Sequence, residues 1–105
     1  MDTKIDIFEW DRNLGSPGMT EIERAELQLL KKECNLVDTF RYMNPDVRKY
    51  TWFSNFGQAR QLKRGWRIDY FFISKDAVKN VSSSQIIDEK CDFSDHVPII
   101  LELML

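Results

Sequence analysis

In the stretch WRIDYFFIS, residues 66–74, aromatic and β-branched side chains dominate, yet Arg67 and Asp69 sit among them. A run of this composition reads as a strand. Alternation then puts Trp66, Ile68, Tyr70 and Phe72 on one face and Arg67, Asp69, Phe71 and Ile73 on the other. An ordinary sheet strand has no use for those charges, so Asp69 calls for a partner. The chain's one histidine, His96, lies further on in FSDHVPIILEL and is the obvious candidate. HVPIILEL reads as a last strand, with Pro98 near its start or at an edge.

Around these two segments the pattern is mixed α and β. Thr20 stands three residues before Glu23, the spacing of a capping box. Ile22, Ala25, Leu29 and Leu30 then recur at helical spacing, and Asn35 is a plausible stop. That apolar stripe is read as scaffold. LVDTFRYMNPD is a short extended or turning segment, YTWFS (residues 50–54) a short strand, and residues 55–65 a polar, basic loop. Ser74 caps a short helix from Lys75 to about Asn80, and VSSSQ is a turn region. Neighbouring strands with helices suggest a sheet covered by helices.

The chain has 105 residues, 43% hydrophobic and 30% charged, enough for one small domain with a modest core. No segment approaches the roughly 20 apolar residues of a membrane span, and the start MDTKIDIFEW lacks the features of a signal peptide. No membrane association is expected. Cys34 and Cys91 have neither metal-ligand spacing nor the density of a disulfide framework, and read as reduced thiols of an intracellular protein. The formal net charge of −2 argues against a nucleic-acid binder, but its distribution does not. Residues 41–67 carry Arg41, Arg48, Lys49, Arg60, Lys63, Arg64 and Arg67 against Asp46 alone, a balance of +6, between segments of −4 on either side. Such segregation suits a polyanion track. A solvated basic loop has the same pattern, and both readings stand.

Asp69, Asp95 and His96 have the most chemical potential. A carboxylate bonded to one imidazole nitrogen fixes the tautomer and favours the protonated form, whose other nitrogen can donate to a phosphate oxygen. An acid directly before the histidine suits a divalent cation or an oriented water. By composition alone, a lone histidine beside an aspartate is more often a surface or packing residue.

The order of the motifs changes that weighting. GWRIDYF, a short helix, then SDHVPI leading a terminal strand resembles the C-terminal end of the exonuclease III family of AP endonucleases, within the endonuclease/exonuclease/phosphatase superfamily. IDI, GMTEIERAEL, LVDTFRYMNP, YTWFS and ARQLKRGWRIDYF fall in that family's order with nearly its spacing, so the resemblance covers essentially the whole chain. The resemblance implies an α+β chain, residues 1–105, forming the C-terminal half of a four-layer α/β/β/α sandwich of DNase I-like type. That half is one mainly antiparallel sheet with covering helices.

By the same resemblance His96 contacts the scissile phosphate, Asp69 pairs with it, and Asp95 lies beside the metal and attacking water. Trp52, Trp66 and Ile68 match a pocket for a flipped-out abasic sugar, and an aromatic pocket suits a sugar lacking its base. Arg60, Lys63 and Arg64 belong to a loop that meets DNA, and Asn13 matches a backbone-contacting asparagine. Ser16 and Lys63 depart from the family's asparagines, although Lys63 still offers phosphate a point charge. The family's G-D-x-N segment is expected just upstream of residue 1, with further metal ligands and a catalytic tyrosine earlier still. Mg2+ or Mn2+ is therefore expected to be held mostly by a missing N-terminal half, with Asp95 the ligand contributed here.

The implied function is the C-terminal part of a magnesium-dependent DNA phosphodiesterase of base-excision repair, cleaving 5′ to abasic sites and degrading from 3′ ends. The alternative is a non-catalytic DNA-binding or interaction module of the same fold. Implied partners are double-stranded DNA with abasic sites and either the missing half or a second copy, through an uncovered sheet face. The compartment follows the DNA: cytoplasm or nucleoid in a bacterium, nucleus in a eukaryote.

Overall fold

A computed structural model describes residues 4–87 and 94–104. A 3-10 turn over Lys4–Asp6 and a one-turn helix α1, Trp10–Asn13, precede the long helix α2, Glu21–Glu33. Then follow β1 (Leu36–Asp38), helix α3 (Thr39–Met43), β2 (Trp52–Phe53), β3 (Gly65–Trp66) and β4 (Phe72–Ser74). A 3-10 helix over Lys75–Asn80 leads into β5 (Val81–Ile86), and β6 (Ile99–Leu103) closes the order. No helix among the described residues is long and apolar enough to cross a membrane.

The pairing is antiparallel throughout, in three two-stranded ladders: β1 with β4, β2 with β3, and β5 with β6. Single bridges, Ile7 with Trp66 and Trp52 with His96, extend the β2–β3 ladder on both sides. Gly65 cannot be another residue here. A Cβ at this position would lie 2.6 Å from Phe53 and from Tyr50, closer than packed atoms approach. The larger core gathers Phe40, Tyr50, Phe53, Ala59, Ile86 and Val97, and a smaller one Ile7 and Met19.

The alternation expected across residues 66–74 breaks. Pairing stops after Trp66 and resumes at Phe72. Arg67, the first residue past the ladder, has a fully buried side chain. The guanidinium donates from Nε to Asp6 Oδ1 at 2.7 Å and from Nη2 to Asp6 Oδ2 at 3.1 Å. Nη1 meets Asp38 Oδ1 at 3.0 Å, Nη2 also bonds Asp38 Oδ2, and Arg41 adds a further ion pair to Asp6. Asp38 also caps α3 by accepting from the Arg41 N–H at 3.3 Å. So Arg41 and Arg67, counted above in the basic track, are internal ion-pair residues.

Other expectations divide. The capping box forms: Thr20 accepts from the Glu23 N–H, and Glu23 accepts in return from Thr20 and Gly18. These bonds hold the Glu23 carboxyl below its ordinary pKa. The stripe of α2, however, does not pack into the core. Ile22 is 71% exposed, Leu29 and Leu30 are exposed as well, and no residue of the helix is buried. Periodicity shows that a stripe exists, not what covers it. The helix lies along β1, and the Arg24 guanidinium lies over the Trp10 ring at 5.7 Å. The helix after Ser74 is 3-10, and the serine side chain makes no cap bond. VSSSQ is a strand, not a turn. The apolar β6 supplies a partner, and Ser84 is buried with its hydroxyl bonded to Thr39 at 2.8 Å. Cys34 is free and exposed, and Cys91 lies outside the described residues.

Arg67→Met should cost about 3–5 kcal/mol of unfolding free energy in urea, since it leaves the buried Asp38 without its cation and Asp6 with Arg41 alone. Burial alone would raise the Asp6 pKa, but Arg67 and Arg41 together hold it below its ordinary 3.8. A carboxyl lowered in the folded state contributes stability that is complete above the unfolded value and lost as pH falls through the folded one. Stability should therefore drop as pH falls below about 4, and less steeply in Asp6→Asn.

Candidate active site and nucleic-acid interface

The residues singled out in the sequence come together around β2. Thr51 and its neighbours lie between the Gly65–Asp69 segment on one side and Asp95–Val97 on the other. The Phe53 N–H donates to the Asp95 carbonyl at 2.9 Å, and the Val97 N–H to the Thr51 carbonyl at 2.7 Å. These bonds present Asp95 and His96 at the edge of the aromatic ladder.

His96 Nδ1 and Asp69 Oδ2 are 2.7 Å apart. The sequence foresaw this pair, but not its setting. Asp69 and His96 do not lie on adjacent strands: Asp69 sits in the unladdered 67–71 segment, His96 at an isolated bridge. β2 lies between them. Both side chains are part-exposed, at 37% and 46%. An imidazole that donates through Nδ1 to a carboxylate presents Nε2 to whatever approaches from solvent.

Asp95 is held by an aromatic. Its Oδ2 accepts from the Trp52 indole N–H at 3.0 Å. Trp52 in turn faces Trp66 edge-on, ring centroids 6.1 Å apart at 81°, directly opposite it in the ladder. Ile68 follows, more than a third exposed. The two tryptophans, Ile68, Asp95, His96 and Asp69 thus form one continuous surface along the ladder and its edge.

A cleft of about 410 Å3 opens next to Trp66, lined among others by Asn13, Arg64, Phe8, Glu9 and Arg12. Asn13 donates its amide to the Phe8 and Glu9 carbonyls at 2.9 and 3.0 Å, so it braces that wall. Its remaining acceptor oxygen is not a group that binds phosphate directly. Arg64 stacks over the Phe8 ring at 5.6 Å. Arg60 turns back: it lies over Phe53 at 5.3 Å and donates to the Ser94 carbonyl at 2.5 Å, tying the loop to the segment that carries His96. Lys63 is exposed with φ of 55°, at the end of a series of turns. Phe8, Arg12 and Thr51 escaped the sequence reading. Phe56, which opens the loop that the resemblance places against DNA, is 85% exposed. Nothing in the sequence marks Phe8, Arg12 or Thr51.

Among the described residues no three acids, histidines or cysteines converge to hold a metal ion. One oxygen of Asp95 is committed to Trp52, and Asp69 is bonded to His96. Divalent ions of the hard type take six or more oxygen ligands, some of them water. These residues do not by themselves fit one.

In Asp95→Ala, one of the three indole N–H resonances, that of Trp52, should move upfield and exchange faster with solvent. The other two should stay in place, and the loss in stability should be about 1 kcal/mol. Movement of all three would mean that Asp95 supports the whole ladder.

No family model matches the chain. Among curated proteins it is 36% identical over 104 residues to an exodeoxyribonuclease of Streptococcus pneumoniae, covering 97% of this chain and 37% of that protein. It is 34% identical over 98 residues to a DNA-(apurinic or apyrimidinic site) endonuclease of Dictyostelium discoideum, covering 92% and 27%. The chain thus spans between about a quarter and little more than a third of the length of such relatives. In fold it matches a Neisseria 3′ phosphatase bound to a product DNA hairpin, with a TM-score of 0.90 and 25% identity over 98% of this chain and 41% of the other. An AP endonuclease of Archaeoglobus fulgidus gives the same TM-score at 20% identity, covering 98% and 41%. Along nearly its whole length, by sequence and by fold, the chain matches a part of the exonuclease III-type AP endonucleases.

Proposed function

We propose that this chain is the phosphate-handling and DNA-cradling part of a divalent-metal-dependent DNA phosphodiesterase that cleaves 5′ to abasic sites. The observation that carries the reading is the 2.7 Å bond between His96 and Asp69 at the edge of the paired tryptophans. In the imidazolium form Nδ1–H is held by Asp69, and Nε2–H donates to a non-bridging phosphate oxygen as charge builds in the transition state. Asp95, oriented by Trp52, accepts a hydrogen bond from the attacking water. Trp52, Trp66 and Ile68 receive the extruded sugar, and Lys63 and Arg64 meet backbone phosphates.

Magnesium or manganese supplies charge neutralisation in such hydrolases, and the residues described here do not fit it alone. On this reading residues 1–105 are the C-terminal portion of an endonuclease/exonuclease/phosphatase domain. The ion's other ligands lie in an N-terminal half, which packs on apolar surface that this chain leaves exposed, including Ile100, Leu103 and Met104. A second reading is a DNA-binding module without chemistry, since among the described residues no acids, histidines or cysteines cluster to hold a metal ion.

The test is a nicking time course on abasic-site duplex with magnesium, using the 105-residue chain, His96→Ala, and the chain mixed with a separately made N-terminal half of a relative. The chain alone should not nick, and the mixture should, in a His96-dependent way. Turnover by the chain alone that disappears in His96→Ala would place a complete site within it. Binding without nicking in the mixture would favour the second reading. For DNA affinity, Lys63→Glu with Arg64→Glu should weaken duplex binding and reduce the slope of log K against log salt by about 2. Unchanged binding at low salt would leave the basic loop a solvated surface.

A further inference from the structure

Three segments meet at Thr51, which is fully buried. Its backbone N–H donates to the Trp66 carbonyl at 3.0 Å, and its carbonyl accepts from the Val97 N–H at 2.7 Å. Any residue could make those two bonds. The hydroxyl does something more specific. Its oxygen accepts from the backbone N–H of Ile68 at 2.9 Å and of Asp69 at 3.1 Å, and its own proton reaches the Trp66 carbonyl at 3.5 Å. A hydroxyl offers one donor and two lone pairs, and all are engaged here.

The reason lies in the broken strand. Residues 67–71 belong to no ladder, so the amides of Ile68 and Asp69 have no strand partner. The Thr51 hydroxyl takes the place of one. The same residue therefore grips both sides of the acid–imidazole pair: the Asp69 backbone through its side chain, and the residue after His96 through its carbonyl. Arg67 and Tyr70 brace the segment from either end, the Tyr70 hydroxyl donating to the Arg67 carbonyl at 2.7 Å.

We propose that Thr51 is the positioning residue of the Asp69–His96 pair, its hydroxyl setting the separation at which the carboxylate meets Nδ1. Its functional meaning rests on the phosphate-handling reading above, but the geometry stands apart from it. Without the hydroxyl, two amide donors lose their acceptor and the segment must shift to find another. A displacement of about an ångström takes a 2.7 Å contact beyond hydrogen-bond range.

The chain's single histidine gives one imidazole spin system, and the ring 15N shifts of the neutral form report which nitrogen carries the proton. Wild type and Thr51→Ser should show the Nδ1–H tautomer. Thr51→Val, equal in shape, and Thr51→Ala should lower the ratio of Nδ1–H to Nε2–H by roughly tenfold. Serine and alanine both lack the methyl group, so their difference isolates the hydroxyl. A folded Val variant that keeps the wild-type tautomer overturns the proposal, as does a Ser variant that loses it. So does a hydroxyl without which neither the Val nor the Ala variant folds, since its role is then only structural. Absence of nicking in any assay would count against the functional reading and leave the tautomer ratios untouched.

Discussion

Arg67 ties the structure together. Its guanidinium is enclosed between Asp6, near the start of the chain, and Asp38, at the junction of β1 and α3. Arg41 closes the group from α3. Charges taken out of water are costly, and mutual attraction offsets that cost only when geometry and hydrogen bonding are nearly complete. Here every Asp6 and Asp38 carboxylate oxygen accepts from an arginine. Burial works against the Arg67 charge, and the two carboxylates outweigh it, so the group stays firmly protonated. Such a cluster specifies register more than it adds stability, because an apolar residue in any of these places would strand the others.

The ladder ends before Arg67, whose side chain turns inward, and Asp69 lies in the same unladdered segment. In a regular strand, Asp69 would share a face with Arg67. Here Asp69 reaches across β2 to His96. Both charges of the WRIDYFFIS segment thus have partners, the cation in Asp6 and Asp38 and the anion in His96.

Charge accounting changes as well. With Arg41 and Arg67 internal, the basic surface of the middle third is smaller than its composition suggests. Arg60 is turned onto Phe53 and Ser94, which makes it a brace for the loop. Lys63 and Arg64 remain at the exposed edge, next to the cleft that Trp66 lines. Arg48, exposed, and Lys49, half-buried, stay near the surface as well, so the basic surface open to a polyanion is smaller than the +6 balance but is not confined to the tryptophan ladder.

Local signals were legible wherever the physics is local. The Thr20–Glu23 box, the start of α2, the aromatic ladder and the pairing of Asp69 with His96 all follow from residue types at short or motif-defined spacings. Tertiary structure decided the rest. VSSSQ is a strand because β6 supplies the partner that serines do not announce. The stripe of α2 is exposed because periodicity has no information about what a helix faces. Arg67 is buried because two carboxylates, 61 and 29 residues away, converge on it, and no pattern in the 66–74 segment encodes that convergence. The residue types by themselves determined which chemistry is available, a histidine with a carboxylate beside paired indoles. Only the fold decided which charges face solvent, because the cost of burying an ion depends on partners brought together from distant parts of the chain.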